Sequence, residues 1–188
     1  MSLRRRGRPP VSSTVAAVGR PIAAATVASG RFEAVVAPLY APLIRRLVLV
    51  LGNEQDAQDV GQDAYLAAFR SWDRFDGADA RAWLYTIALR LAFNQLRGRK
   101  RLLAALGRIQ PQAWVAPSDP DLWAALTGLD PRTRAALLLN VVDGFNQVEV
   151  ARILAVPEGT EASWLSRARV TLRRELERDH DVAVHDAR

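Results

Sequence analysis

The chain has 188 residues, 49% of them apolar, and a formal net charge of +6, which allows one folded domain or two small ones. It lacks cysteine, so disulfides, thiolate zinc sites and cysteine nucleophiles are excluded, and its only two histidines, His180 and His185, lie near the C-terminus. All but one of its 26 basic residues are arginine, Lys100 being the exception, a balance suited to nucleic acid or an acidic protein surface.

Residues 1–30 are of low complexity, an arginine cluster followed by Ala, Val, Thr and Ser, and are expected to form a disordered basic arm. Arg6-Gly7-Arg8-Pro9 has the core of a minor-groove hook, but four residues weigh little beside the plain basic arm. No apolar run reads as a membrane span or a cleavable signal peptide, so the expectation is a soluble, cytoplasmic chain with no membrane insertion. From Arg31 a helical apolar pattern appears, with Phe32, Val35, Val36, Leu39, Leu43, Leu47 and Leu51. Pro38 and Pro42 are expected to break its first half, so that the regular helix begins at Pro42 and closes at Gly52-Asn53.

The next helix spans about Glu54 to Trp72, with acidic residues in its first turn where the helix dipole favours them. Val60, Ala64 and Ala67 form one apolar seam; Tyr65, Phe69 and Trp72 form another. Asp56, Asp59 and Asp63 fall on one side with Gln62 nearby, which composition alone reads as a solvated face. Gly61 inside this helix weakens it by about 1 kcal/mol relative to alanine.

After a loop at 73–80 comes a helix over 81–97 whose buried stripe is Leu84, Ile87, Ala88 and Leu91. Thr86, Leu89, Arg90, Phe93 and Arg97 project from its other side, flanked by Tyr85 and Asn94. Aromatics interleaved with arginine suit the stacking of unpaired bases, and packing against a neighbouring helix is the competing reading. The helix runs out into the basic cluster Arg97, Arg99, Lys100 and Arg101, placed to meet a phosphate backbone. Residues 102–120 lose the period, contain Gly107, Pro111, Pro117 and Pro120, and read as a flexible linker. A brief helix at 121–127, with Leu122, Trp123 and Leu126, follows.

Asp130 is a good N-cap with Pro131 at the first helical position, and Ala135, Leu138, Leu139 and Val142 make an amphipathic stripe ending at Gly144. Asn146 and Glu149 have capping-box spacing and open a short helix whose inward residues are Val150, Ala151 and Leu154. Ala155, Val156 and Pro157 interrupt it before an arginine-rich helix over about 158–178. The inner stripe of that helix is Leu165, Ala168, Leu172 and Leu176, leaving Thr160, Ser163, Trp164 and Arg167 on the opposite face. A short helix, a tight turn and a basic second helix make a helix-turn-helix. The fold class is therefore all-α: helical domains at 31–101 and 121–178, a linker at 102–120 and a charged tail at 179–188.

Residues 40–101 and 129–176 resemble regions 2 and 4 of the extracytoplasmic-function sigma factors of bacterial RNA polymerase. The resemblance is carried by Asp56-Ala57-Gln58-Asp59, Arg81-Ala82-Trp83-Leu84-Tyr85, Pro157-Glu158-Gly159-Thr160 and Leu165-Ser166-Arg167-Ala168-Arg169, in that order. It implies that Asp59, Gln62 and Asp63 sit on the helix that docks on the coiled coil of the polymerase's largest subunit. It further implies that Arg90, Asn94 and Arg97 face the melted non-template strand of the minus-ten element, with the 73–80 loop bordering a flipped base. Thr160, Ser163, Trp164 and Arg167 match the helix entering the major groove at the minus-thirty-five element, with Arg169, Arg173 and Arg174 placed for phosphates.

The departures from the family pattern are Glu161, Ala162 and Trp164 near the start of the recognition helix, where members usually carry basic residues at 162 and 164. Arg90 stands for a common asparagine, Asn94 for a common aspartate, and the 73–80 loop looks about one residue short and is acidic at Asp79. The implied partners are core RNA polymerase and promoter DNA, with an anti-sigma factor as a further partner. No cofactor, metal or catalytic residue is implied, and no Gly-rich phosphate loop argues for an enzyme. The alternative is a degenerate sigma-like protein that holds polymerase or an anti-sigma partner without reading promoters.

Overall fold

The computed structural model describes residues 22–106 and 120–186, and no strand occurs among them. The first three helices are α1 (Ile22–Leu51), α2 (Glu54–Ser71) and α3 (Ala80–Leu106), with one 3-10 turn, Trp72–Arg74, after α2. The remaining four are α4 (Pro120–Thr127), α5 (Pro131–Val141), α6 (Gln147–Leu154) and α7 (Thr160–Asp186).

Helix α1 corrects the expectation that its two prolines would end it, for it runs through Pro38 and Pro42 and begins within the arm expected to be disordered. An interior proline costs about 3 kcal/mol, so burial must outweigh it. Phe32 and Val36 are fully buried, and the Phe32 ring meets Tyr65, Phe69 and Trp72 edge-on with centroids 5.0, 5.2 and 5.4 Å away. Ser29–Leu51 is also long and apolar enough, by length and composition, to cross a membrane, contrary to the expectation that no run would be. Within the bundle its apolar side chains have partners: Phe32, Val36, Leu43, Leu47 and Val50 all lie in the core.

Helix α2 packs on α1 through Ala57, Val60, Ala64 and Ala68. Gly61 is buried on this side, and a Cβ there would stand 2.2 Å from Ile44 Cδ1, so it marks a close approach of two helices as well as a weak helix former. Asp56, expected on the solvated acidic side, instead accepts bonds from Gln95 at 2.9 Å and Arg99 at 3.1 Å, tying α2 to α3.

In the second half of the chain the local signals hold. The Asp130 carboxylate caps α5 by accepting from the Arg132 and Thr133 amides, and Asn146 and Glu149 form a reciprocal capping box on α6. Ala135, Leu138, Leu139, Val150, Ala151, Leu154, Leu165 and Ala168 are buried as expected, whereas Val142 is exposed. Two boundaries move: α3 continues through 102–106, assigned to the linker, and α7 continues through the expected tail to Asp186. The hook-like segment at 6–9 and most of the expected linker lie outside the described residues.

The two halves touch along α1, α3, α5 and α6. Arg134, only 7% exposed, reaches from α5 to the Leu49 and Val50 carbonyls at the end of α1, at 3.1 and 3.3 Å. The same guanidinium serves the Thr127 and Leu129 carbonyls of its own half at 3.2 and 2.9 Å. Burial lowers its pKa, against the attraction of Asp130.

Candidate nucleic-acid and polymerase interface

On α2, Asp59, Gln62 and Asp63 are exposed, with the Asp59 carboxylate accepting from Gln55 at 3.0 Å. Beside them lies an apolar groove of about 480 Å3 lined by Ala37, Tyr40, Gln62, Tyr65 and Leu66. Exposed Leu66 and Phe69 extend the apolar surface on the same helix. The Tyr65 hydroxyl donates to Glu33 at 2.6 Å; burial, then this carboxylate partner, pushes its pKa up to about 12, so it remains a donor at physiological pH.

Helix α3 presents three sides. Leu84, Ala88 and Gln95 turn toward α1 and α2. Arg90, Asn94 and Arg97 are exposed, and Arg97 donates to the Asn94 side chain. On the third side the alternative of packing against a neighbouring helix holds: Tyr85, Leu89 and Phe93, four residues apart, are buried on the side that meets the second half of the chain. The guanidinium of Arg132 stands 5.1 Å over the Phe93 ring. Thr86, Arg90, Phe93, Asn94 and Arg97 face Arg132, Ile153, Leu154 and Ala155 across a cleft of about 400 Å3.

The basic cluster is also sorted by the fold. Arg97, Lys100 and Arg101 are exposed, whereas Arg99 pairs with Asp56 at 3.1 Å and keeps its side chain 38% exposed. Asp79, an acidic intrusion in the loop by sequence, serves the fold instead. Its carboxylate accepts from the Arg81 and Ala82 amides at 2.9 and 3.0 Å and so caps α3.

On α7 the outward face is set by burial of Glu161, Leu165 and Ala168. Ser163, Arg167 and Arg174 are exposed on it, Thr160 is half-exposed at its start, and Arg169 and Arg173 are exposed on one flank. Trp164 departs from the expectation, since it is half-buried and leans on the core. Glu161, expected on the groove-facing turn, is 3% exposed and accepts from the Gly159 amide at 3.1 Å, so its charge does not lie on that face. Among the described residues no His, Asp and Glu side chains gather as a metal site.

Residues 37–102 match Sigma-70 region 2 and residues 120–172 match Sigma-70, region 4. The chain is 30% identical over 134 residues to the ECF RNA polymerase sigma-E factor of Escherichia coli, covering 61% of this chain and 70% of that relative. The chain belongs to the extracytoplasmic-function sigma factors. It is also 31% identical to the ECF RNA polymerase sigma factor SigE of Mycolicibacterium smegmatis, covering 65% of this chain but only about half, 52%, of that relative's length. Among solved structures it is similar to the sigma factor RpoE of Bartonella quintana, held there in complex with the anti-sigma factor NepR. The TM-score is 0.69 at 26% identity, covering 78% of this chain and 97% of that one. A second similar structure is CnrH in complex with the cytosolic domain of CnrY, with a TM-score of 0.59 at 28% identity, covering 84% of this chain and 97% of that one.

Sequence reasoning missed four residues of this sigma factor that matter for how its halves meet: Arg46, Arg81, Arg134 and Asp143. Arginines in helices and an aspartate beside a turn glycine carry no local signal of a long-range bond. The one hint was Gly144, whose positive φ of 76° identifies a tight turn that aims its neighbours.

Proposed function

We propose that this sigma factor directs transcription initiation in the cytoplasm and has no catalytic activity of its own. The exposed acidic face of α2, with Asp59, Gln62 and Asp63, is its docking surface for core RNA polymerase. Arg90, Asn94 and Arg97 of α3, with Lys100 and Arg101, hold the unpaired strand of the minus-ten element. Helix α7 enters the major groove at the minus-thirty-five element through Ser163 and Arg167, with Arg169, Arg173 and Arg174 on phosphates. The observation that carries this reading is the pairing, on one chain and in order, of both sigma regions with an exposed, arginine-lined α7. An anti-sigma partner is part of the proposal, supported by the similar structures in which RpoE and CnrH are bound by other proteins.

The competing reading, a degenerate factor that holds polymerase or an anti-sigma partner without reading promoters, draws on Ala162 and Trp164 standing where basic residues are usual. It loses the support of Glu161, which is buried. Co-elution of the purified chain with core polymerase, followed by transcription from a library of promoter fragments, separates the two. Promoter-dependent transcripts are expected; co-elution without any transcript favours the degenerate reading, and no co-elution defeats the sigma-factor reading.

A further inference from the structure

Three arginines stand around the cleft between α3 and the second half of the chain, and no carboxylate stands with them. Arg90 and Arg97 lie two turns apart on α3, about 10 Å along its axis, with Asn94 between them on the same face. Arg132 comes from the opposite wall, the first turn of α5, and its guanidinium is held 5.1 Å over the Phe93 ring. Arginines that the fold uses elsewhere have strong acceptors. Arg46 and Arg99 pair with Asp143 and Asp56, while Arg81 and Arg134 donate to backbone carbonyls. Among the described residues the three guanidinium groups of the cleft pair with no carboxylate, and Arg97 has only the Asn94 side chain as acceptor. No Asp or Glu lines the cleft, which encloses about 400 Å3 and is closed on its far side by apolar Ile153, Leu154 and Ala155 at the end of α6. Like charges gathered around one concavity repel one another, and an anion seated among them relieves that cost.

We propose that this cleft is a binding site for a small polyphosphorylated molecule, a nucleoside di- or triphosphate being the class that fits it. Guanidinium forks bind phosphate through paired, charge-assisted hydrogen bonds, and forks set on two walls suit a chain of phosphates better than a single one. The ring of Phe93 fixes one of those forks in advance, which lowers the ordering cost of binding. The volume lies in the range of small-molecule sites, and the apolar end of α6 leaves room for an organic body beside the phosphates. The Asn94 amide, exposed between the two α3 arginines, offers both a donor and an acceptor to a sugar hydroxyl. The site goes beyond the strand-binding reading of α3: it shares Arg90 and Arg97 with that reading and adds Arg132, which that reading does not use. Its occupancy withholds Arg90 and Arg97 from other anions.

Equilibrium dialysis of the full chain against ATP, GTP, tripolyphosphate and adenosine tests this, at about 0.15 M salt so that diffuse attraction is screened. ATP or GTP is expected to bind saturably, one per chain, and adenosine not at all. Arg132→Met keeps an apolar side chain on the Phe93 ring but removes the fork, and should weaken binding about tenfold or more. Arg90→Ala, on the other wall, must weaken it by a similar factor; agreement between variants on two elements, with unchanged melting temperatures, excludes local misfolding of either. Arg152→Met removes the same charge from an exposed position of α6 outside the cleft, and should leave affinity within about twofold. Tripolyphosphate bound as tightly as ATP, with the same dependence on Arg90 and Arg132, supports the site and names the phosphate chain alone as its ligand. Binding that never saturates, or that Arg152→Met weakens as much as Arg132→Met, is diffuse attraction to a chain of net charge +6 and overturns the proposal. So does a loss in Arg90→Ala without one in Arg132→Met, which confines the contact to α3, and so does the absence of binding by all of the phosphorylated probes.

Discussion

The contact of α1 with α2 is almost wholly apolar, whereas the contact between the two halves of the chain mixes apolar burial with charged and polar bonds. The first is apolar and close, with Val60, Ala64 and Ala68 facing α1, Gly61 allowing near approach, and Phe32 set among three aromatic rings. The second seats Phe145 against Arg81 and Tyr85, ties Asp143 to Arg46 and Tyr85, and bonds Arg134 to the end of α1. Apolar surface has no good state in water, so the first contact is committed once formed. The second adds charged and polar groups, which recover hydration on separation, to an apolar cluster that runs through both halves and includes Leu89, Phe93, Ile153 and Leu154. The difference teaches that the fold of each half and the arrangement of the halves are specified separately.

The sharpest way to break that distinction is Phe32→Ala. Removing a fully buried phenylalanine costs about 3–5 kcal/mol and leaves a cavity among Tyr65, Phe69 and Trp72. The proline-bearing half of α1 should then lose its helix while α5–α7 keep theirs, read by hydrogen exchange on separate segments. Loss of protection in both halves together would mean that the halves are not independent units.

Arg134→Met acts on the second contact. It leaves four backbone carbonyls, two on each side, without their shared donor, and should cost about 2–3 kcal/mol. Because water reaches the end of α1 once the halves part, the cost should appear as easier separation. In urea, the variant is expected to unfold in two steps where the parent unfolds in one. A midpoint equal to the parent's would show that the Arg134 bonds are not needed to join the halves.

Arg167→Ala tests the exposed face of α7, where no contact between halves intervenes. Among the described residues its guanidinium Nε donates to the Ser163 carbonyl alone, at 3.3 Å, so stability should change by less than about 0.5 kcal/mol. Duplex affinity should fall by about 1–3 kcal/mol if the residue reads a base. A uniform, salt-sensitive loss across sequences would reassign it to a phosphate.

What the sequence disclosed follows the same division. Caps and stripes are local: Asp130, Asn146 with Glu149, and the Leu165–Ala168 seam were legible because their partners lie within a turn or two of the helix. The path of α1 through Pro38 and Pro42 was not, because it depends on Phe32 meeting rings that come from α2 and the turn after it. The burial of Leu89 and Phe93 was open between DNA and a neighbouring helix until the neighbour was placed. Arg99 and Glu161 read as surface charges, since nothing in the chain around them names Asp56 or the Gly159 amide as a partner. Of the candidate site, the exposed residues of α2 and the arginine positions of α3 and α7 were legible; the covering of α3 was not, because it is a property of two halves together.

The smallest effect expected belongs to Asp130→Ala, and it carries a pH signature. Burial pushes the Asp130 pKa up, but bonds from Thr133 and the Arg132 amide, with Arg167 nearby, pull it below its ordinary value. A carboxylate whose folded pKa is depressed contributes stability that is present above its unfolded pKa, about 3.9, and is lost as pH falls through the folded one. The substitution should therefore cost about 1 kcal/mol at neutral pH, the usual worth of an N-cap. The gap between variant and parent should close as the medium is made more acidic than the ordinary carboxylate range. Melting curves of both proteins across that range check it. A gap that persists undiminished in acid would mean that residue 130 stabilises α5 by shape, not by the charge that meets its first amides.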